Sequence, residues 1–299
     1  MIMKYVITGA AGNISKPLAE KLLKAGHDVT VISRSAENIK SLTDQGAKAA
    51  IGSVDDAEFL KKTFTGADAV YTMVPPRYDA ADMKEHIAAV GKKYAEALKA
   101  ANVKYVVNLS SVGAHLPDGV GPVSGLYKVE QALNELTNTN IKHLRPVWFY
   151  TNLFANVNMI KNMNIVGGNF GGDDFKMLMV HPNDVAEVAF EELSNLNFSG
   201  HSVRYIGGDE RSTADIAKTI GSSIGKSDLP WIVFTDEQSY QGMLQAGLPE
   251  NVAKNYTEMG HAMHDGSMFE DYWKHHPEKL GKTKLEDFAK TFAVVYNSN

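Results

Sequence analysis

Apolar positions in the first hundred residues alternate between two spacings. Short runs such as Tyr5-Val6-Ile7-Thr8 and Val29-Thr30-Val31-Ile32-Ser33 read as buried strands, while Leu18, Leu22 and Leu23 form one stripe of a helix over Lys16 to Ala25 that Gly26 stops. The same alternation continues along the chain. It predicts helices over Asn38 to Gln45, Asp55 to Phe64 and Asp79 to Ala101, and strands over Ala47 to Ile51, Ala67 to Val74 and Lys104 to Ser110. Five strands alternating with four helices are the pattern of a doubly wound parallel sheet in an α/β fold. Right-handed crossovers then bring every strand's carboxyl end to one edge, where ligands of such sheets bind.

The chemistry of that edge begins at the first turn. Gly9-Ala10-Ala11-Gly12-Asn13-Ile14-Ser15 lies between a strand and a helix, and a second strand follows about twenty residues on. Glycines allow the sharp turn and let a pyrophosphate approach the amide N–H groups at the helix start. Ser15 takes the third small position, which packs helix on strand. At the end of the second strand an acid would select NAD by bonding the ribose; here Ser33-Arg34-Ser35 offers a cation to a 2′-phosphate, so NADP, with NADPH favoured over NADH, is the expected cofactor. The fourth strand runs into Met73-Val74-Pro75-Pro76, where two prolines end pairing and leave an apolar lip. Ser110 and Ser111 close the fifth strand at the same edge.

Composition narrows the class further. In 299 residues, 44% hydrophobic and 22% charged, with a net charge of −5 and no long basic run, direct nucleic-acid binding is not expected. With no Cys, a disulfide framework, thiolate ligation and a cysteine nucleophile are all excluded. Met1-Ile2-Met3-Lys4 leads straight into the first strand, and no apolar run approaches the ~18 residues of a membrane span, so a cytoplasmic protein without membrane contact is expected. His261 and His264 share a helix face but lack a third fixed ligand, so no metal is expected there.

These residues resemble the NmrA-like branch of the atypical short-chain dehydrogenases, which includes NADPH-dependent quinone reductases and NADP-sensing regulators. The resemblance is carried by Thr8-Gly9-Ala10-Ala11-Gly12-Asn13-Ile14, Ser33-Arg34, Val74-Pro75-Pro76, Leu109-Ser110-Ser111-Val112-Gly113-Ala114, Leu144-Arg145-Pro146-Val147-Trp148-Phe149-Tyr150-Thr151-Asn152 and His181-Pro182-Asn183-Asp184-Val185-Ala186. It covers roughly the first two hundred residues. It implies a Rossmann domain over residues 1–150, rejoined by 181–206, and a smaller C-terminal α/β lobe from 151–180 and 207–299 that shapes a substrate pocket. By this resemblance the cofactor lies against Thr8, Gly9, Ala11, Gly12, Asn13, Ile14, Ser33, Arg34, Ser53, Val54, Met73, Val74, Pro75, Ser110 and Pro146. The substrate pocket takes in Pro76, Trp148, Phe149 and Asn152.

Two departures from the family bear on function. Gly52-Ser53-Val54-Asp55 carries Ser where the family often has an acid near the adenine. The family's wider Tyr and Lys pair, four residues apart on one helix face, falls on Pro122 and Leu126 when aligned through Glu130, so it is absent. Tyr127 and Lys128 are adjacent and point ~100° apart. Ordinary carbonyl reduction, and epimerase or dehydratase chemistry that needs the same pair, is therefore disfavoured. Hydride transfer to a quinone or another conjugated small molecule needs less acid help. Ser111 is the candidate donor to the developing oxyanion, and Lys128 the candidate to hold the ribose or that oxyanion. The alternative is a non-catalytic redox sensor with a regulatory protein partner; either form is expected as a monomer or homodimer.

Beyond Asn152 the pattern is looser. Gly167-Gly168-Asn169-Phe170-Gly171-Gly172 reads as a loop or irregular hairpin forming a lid, followed by a helix over Asp184 to Leu193 and a strand over Ser202 to Ile206. Ser212-Thr213-Ala214-Asp215 opens another helix, Ile232 to Phe234 is a short strand, and helices follow from Asp236. Phe149, Tyr150, Phe154, Met159, Met163, Phe269 and Trp273 are candidates to receive a planar ligand.

Overall fold

The computed structural model describes residues 1–298. Its first half runs β1 (Lys4–Ile7), α1 (Ser15–Lys24), β2 (Asp28–Ser33), α2 (Lys40–Thr43), β3 (Lys48–Ile51), α3 (Ala57–Phe64), β4 (Ala69–Thr72), α4 (Met83–Ala100), β5 (Tyr105–Leu109), α5 (Val123–Asn134) and β6 (Asn140–Pro146). The second half adds β7 (Trp148–Phe149), α6 (Val157–Met163), β8 (Val166–Gly168), β9 (Lys176–Val180), α7 (Pro182–Asn195), β10 (His201–Ile206), β11 (Asp209–Ser212) and α8 (Thr213–Ser223). It finishes with β12 (Trp231–Val233), α9 (Asp236–Gln245), α10 (Glu250–His264), α11 (Glu270–Lys274) and α12 (Leu285–Ser298).

Among the described residues, seven strands form one parallel sheet in the order β10-β6-β5-β4-β1-β2-β3. The doubly wound α/β expectation holds. β4 is buried along its whole length and β1 over Tyr5 to Ile7, as strands covered on both faces must be, which is why they read as unbroken apolar runs. On one face Leu60, Phe64, Ile87, Val90, Tyr94, Val129 and Leu133 from α3, α4 and α5 pack against Val6, Val70 and Val106. The larger core lies on the other face. It runs from Ile7, Leu18 and Leu22 through Val185 and Ala189 to Phe288 and Phe292, so the C-terminal helices share the sheet's core.

Local signals set the helix ends. Asp56 caps α3 by accepting from the Phe59 N–H, Asp82 caps α4 through Glu85, and Ser212 caps α8 through Asp215. The predicted helix over Asn38 to Gln45 is shorter: a 3-10 turn at Glu37–Ile39 precedes a single turn of α2, and only Ile39 and Leu42 are buried. Two apolar anchors hold little more than that. No described helix is long and apolar enough to cross a membrane.

The predicted glycine lid is pinned rather than free. Val166–Gly168 pairs with Trp231–Val233, and Asn169, 5% exposed, donates 2.8 Å bonds to Asp236 Oδ1 and the Thr257 carbonyl. A Cβ at Gly260 would lie 1.9 Å from Asn169 Oδ1, so the glycine makes room for the amide against α10. The expected planar-ligand residues divide: Tyr150 and Phe269 are core, Phe149 and Phe154 pack against it half-buried, Met159 is half-buried, and Met163 and Trp273 are exposed. Tyr150 is buried and bonds Asp209 at 2.8 Å, and Phe154 stacks on Phe292 at 6.0 Å and meets Phe288 at a tilt at 5.2 Å. Phe269 is buried, while Trp273 lies at the surface, stacked on His276.

A polar chain crosses the sheet interior. Thr72 Oγ1 donates to Asn108 Oδ1 at 2.9 Å, the Asn108 amide meets His143 Nδ1 at 3.1 Å, and His143 Nε2 meets Asn134 Oδ1 at 3.0 Å. With the amide donating, the imidazole must be neutral with its proton on Nε2; a second proton would set two donors face to face. Burial pushes His143 down to about 4. The unfolded chain therefore takes up this proton first as pH falls, and stability declines from about pH 6.5 toward about pH 4. The expected share is about 2 kcal/mol between pH 7.5 and 5. Urea unfolding at both pH values should show His143→Gln losing less stability on acidification than wild type; parallel pH profiles would refute the assignment.

Candidate cofactor and substrate site

The turn after β1 is shaped by two glycines. Gly9 has φ +65°, and a Cβ there would lie 2.3 Å from Met73 Sδ. Gly12 closes the turn by donating to the Gly9 carbonyl at 2.8 Å. The amides of Ala11, Asn13 and Ile14 have no protein acceptor among the described residues, α1 has no side-chain cap, and its first turn carries no acid. Open N–H groups at the positive end of a helix fit a pyrophosphate. Thr8 supports the turn from below: its hydroxyl accepts from the Met73 N–H at 2.8 Å, while Tyr94 OH holds the Met73 carbonyl at 2.7 Å.

The neighbouring strand ends extend this edge. After β2, Ser33 Oγ accepts from the Ser35 N–H at 3.1 Å and donates to the Ser35 carbonyl at 2.8 Å, a local turn with Arg34 at its tip. Arg34 is exposed and has no ion-pair or hydrogen-bond partner among the described residues. After β3, Ser53 Oγ accepts from the Asp55 N–H at 3.1 Å and faces Asp55 Oδ2 at 3.3 Å. Ser53, Val54, Met73, Val74 and Pro75 are all half-buried, whereas Pro76 is exposed.

After β5 the Ser110–Ser111 segment is held by a buried ion pair that the sequence did not announce. Glu130 on α5 accepts from Ser110 Oγ at 2.5 Å and from Arg145 Nε and Nη2 at 3.0 and 2.6 Å. Arg145 also donates to the Ala114 carbonyl at 3.3 Å, so the pair grips both ends of the Ser110–Ala114 segment. Tyr205 and Asp271 complete its shell at 2.9 and 3.2 Å. Burial opposes the guanidinium's charge, but Glu130 outweighs it and holds Arg145 above its ordinary pKa. Glu130 sits on the stripe Leu126, Val129, Glu130, Leu133, and a lone acid on an apolar stripe was the available signal.

The remaining predicted residues divide. Pro146 is buried at the end of β6, its carbonyl taken by the Val112 N–H at 2.9 Å. Trp148 and Phe149 form β7 against Met179 and Val180, and Trp148 packs edge-on to Phe170 at 6.3 Å, beside Trp231. Asn152 is exposed on the 3-10 turn after β7. Ser111 is half-buried at the strand end. Lys128 is exposed and paired with Glu85 of α4, so holding a ribose or an oxyanion would require that pair to open. His261 meets Asp236 at 2.8 Å through Nδ1.

A family model described as NAD(P)H-binding matches residues 9–196, from the glycine turn to the end of α7. The chain belongs to this NAD(P)H-binding family. The NmrA-like resemblance read from the sequence fits that membership. Among curated relatives, the NAD(P)H azoreductase of Xenophilus azovorans is 22% identical over 254 residues, 85% of each chain. Among solved structures, the NADPH-dependent quinone oxidoreductase of Escherichia coli complexed with NADPH aligns with a TM-score of 0.79 at 19% identity, over 96% of this chain and 99% of that one. NmrA, a negative transcriptional regulator solved with NAD, aligns at 0.76 and 12% identity over 99% and 97%. At such identities the structural likeness establishes the fold alone.

Proposed function

We propose that this NAD(P)H-binding protein is an NADPH-dependent oxidoreductase that reduces a quinone-like or other conjugated small molecule. The observation that carries the reading is the set of unpartnered groups along one edge: the Ala11, Asn13 and Ile14 amides and the Arg34 guanidinium. A pyrophosphate and a 2′-phosphate answer those groups. The bound cofactor supplies a hydride, and a conjugated acceptor that delocalises the resulting charge needs only hydrogen bonds to its oxygen. Ser111 donates one such bond, and Pro75, Pro76, Trp148 and Phe149 border the acceptor. The azoreductase and quinone oxidoreductase relatives support this acceptor class.

A second reading, an NADP(H) sensor acting through a protein partner, is favoured by the engagement of Lys128 with Glu85 and by the absent Tyr–Lys pair. One experiment separates the two. NADPH oxidation is followed with a panel of quinones and azo dyes, using Gly9→Ala as a control in which the new methyl collides with Met73. Turnover on at least one acceptor, lost in the control, is expected; tight NADPH binding without turnover on any acceptor would leave the sensor reading.

A further inference from the structure

The adenosine end of the cofactor edge carries an ion pair that the cofactor motifs do not account for. Arg77, two residues past Pro75 on the loop leaving β4, places Nη1 3.4 Å from Asp55 Oδ2 and Nε 3.3 Å from Asp79 Oδ1. Asp55 follows Ser53 and Val54 on the loop leaving β3. In the sheet, β4 and β3 are separated by β1 and β2, three strand spacings or about 14 Å. The Arg77–Asp55 contact therefore ties together loops that flank the exits of β1 and β2, where the glycine turn and Arg34 lie. Lys93 of α4 approaches the same carboxylate at 3.8 Å, so the contact sits on the sheet face covered by α3 and α4.

We propose that Arg77 is an adenine-binding residue, its guanidinium lying over the ring plane of the cofactor, with Asp55 as the partner it leaves and rejoins at each exchange. The inference rests on the cofactor site described above. A guanidinium is flat and delocalised and stacks on aromatic faces, as a lysine ammonium does not. Arg77 is held through two long contacts, near half exposure, and three of its five donors remain unassigned, so its rearrangement is inexpensive. Asp55 stays anchored without it, through Ser53 and Lys93. The sequence lacks the family's acid at Ser53, and Asp55, bonded to that serine, brings a carboxylate to the same turn.

Because adenine is common to both nucleotides, Arg77 must act on NADPH and NADH alike, whereas a contact to the 2′-phosphate would act on NADPH alone. Stopped-flow displacement of each nucleotide from the full chain, read by nucleotide fluorescence, should show Arg77→Ala releasing both about tenfold faster. Arg77→Lys should recover less than half of that difference on a logarithmic scale. Thermal melts of both variants without nucleotide should match wild type, since the residue is exposed. Unchanged release rates, a loss confined to NADPH, or full rescue by Lys would each overturn the assignment to adenine stacking. Wild-type protein that binds neither nucleotide would overturn the cofactor site itself, an outcome distinct from normal wild-type binding with unaltered variants.

Discussion

Glu130→Gln is expected to lower the stability of the fold by about 3 kcal/mol, because it leaves the buried Arg145 guanidinium without its principal counter-charge. Glu130 and Arg145 are 2% and 7% exposed and share two hydrogen bonds, so water cannot replace the lost partner. Asp271 lies 3.2 Å from Arg145 and partly compensates, which places the expected cost at the lower end of the range for broken buried pairs. Urea unfolding of Glu130→Gln, Arg145→Met and the double variant measures the coupling. The double variant should be more stable than Glu130→Gln alone, since it removes the stranded charge. Single losses below about 1 kcal/mol would mean that the pair is solvated in solution. The same substitution should loosen the Ser110–Ala114 segment, which is gripped at both ends by this pair and carries Ser111.

Arg34→Glu is expected to cut the preference for NADPH over NADH by about a hundredfold, while NADH affinity changes little. A guanidinium bonded to a phosphate contributes about 3 kcal/mol of charge-assisted interaction, and a carboxylate in its place adds repulsion. The local turn made by Ser33 and Ser35 holds Arg34 at the end of β2, and it has no competing acid among the described residues. Titration of both nucleotides at two salt concentrations tests this. The wild-type preference should weaken with salt, and an unchanged NADPH-to-NADH ratio in the variant would remove Arg34 from the site.

What could be read in advance was local in origin. The glycine turn, the serine-flanked Arg34 and the Pro75-Pro76 lip each depend on a backbone conformation or a side-chain type within a few residues. Ser212 marked its helix start for the same reason, whereas α3 and α4 begin at Ala57 and Met83, after the expected starts at Asp55 and Asp79. Short-range patterns failed where polar groups chose distant partners. Lys128 read as an open ammonium, yet it meets Glu85 forty-three residues away. The glycine-rich stretch read as a lid, yet Asn169 reaches Thr257, eighty-eight residues on.

The sequence by itself determined the order of the first five strands and the helices between them, and the type of turn that follows the first strand. Strand and helix periods, caps and glycine φ requirements act over a handful of residues, and each leaves its mark where it acts. Only the tertiary structure decided which charges are spent. The sheet order that lays β6 beside β5 joins Glu130, Arg145 and Ser110, and the loops leaving β3 and β4 meet at Asp55 and Arg77. A side chain's partner is set by which elements the fold packs together, and an acid that will be paired looks, in the sequence, like one that will face water.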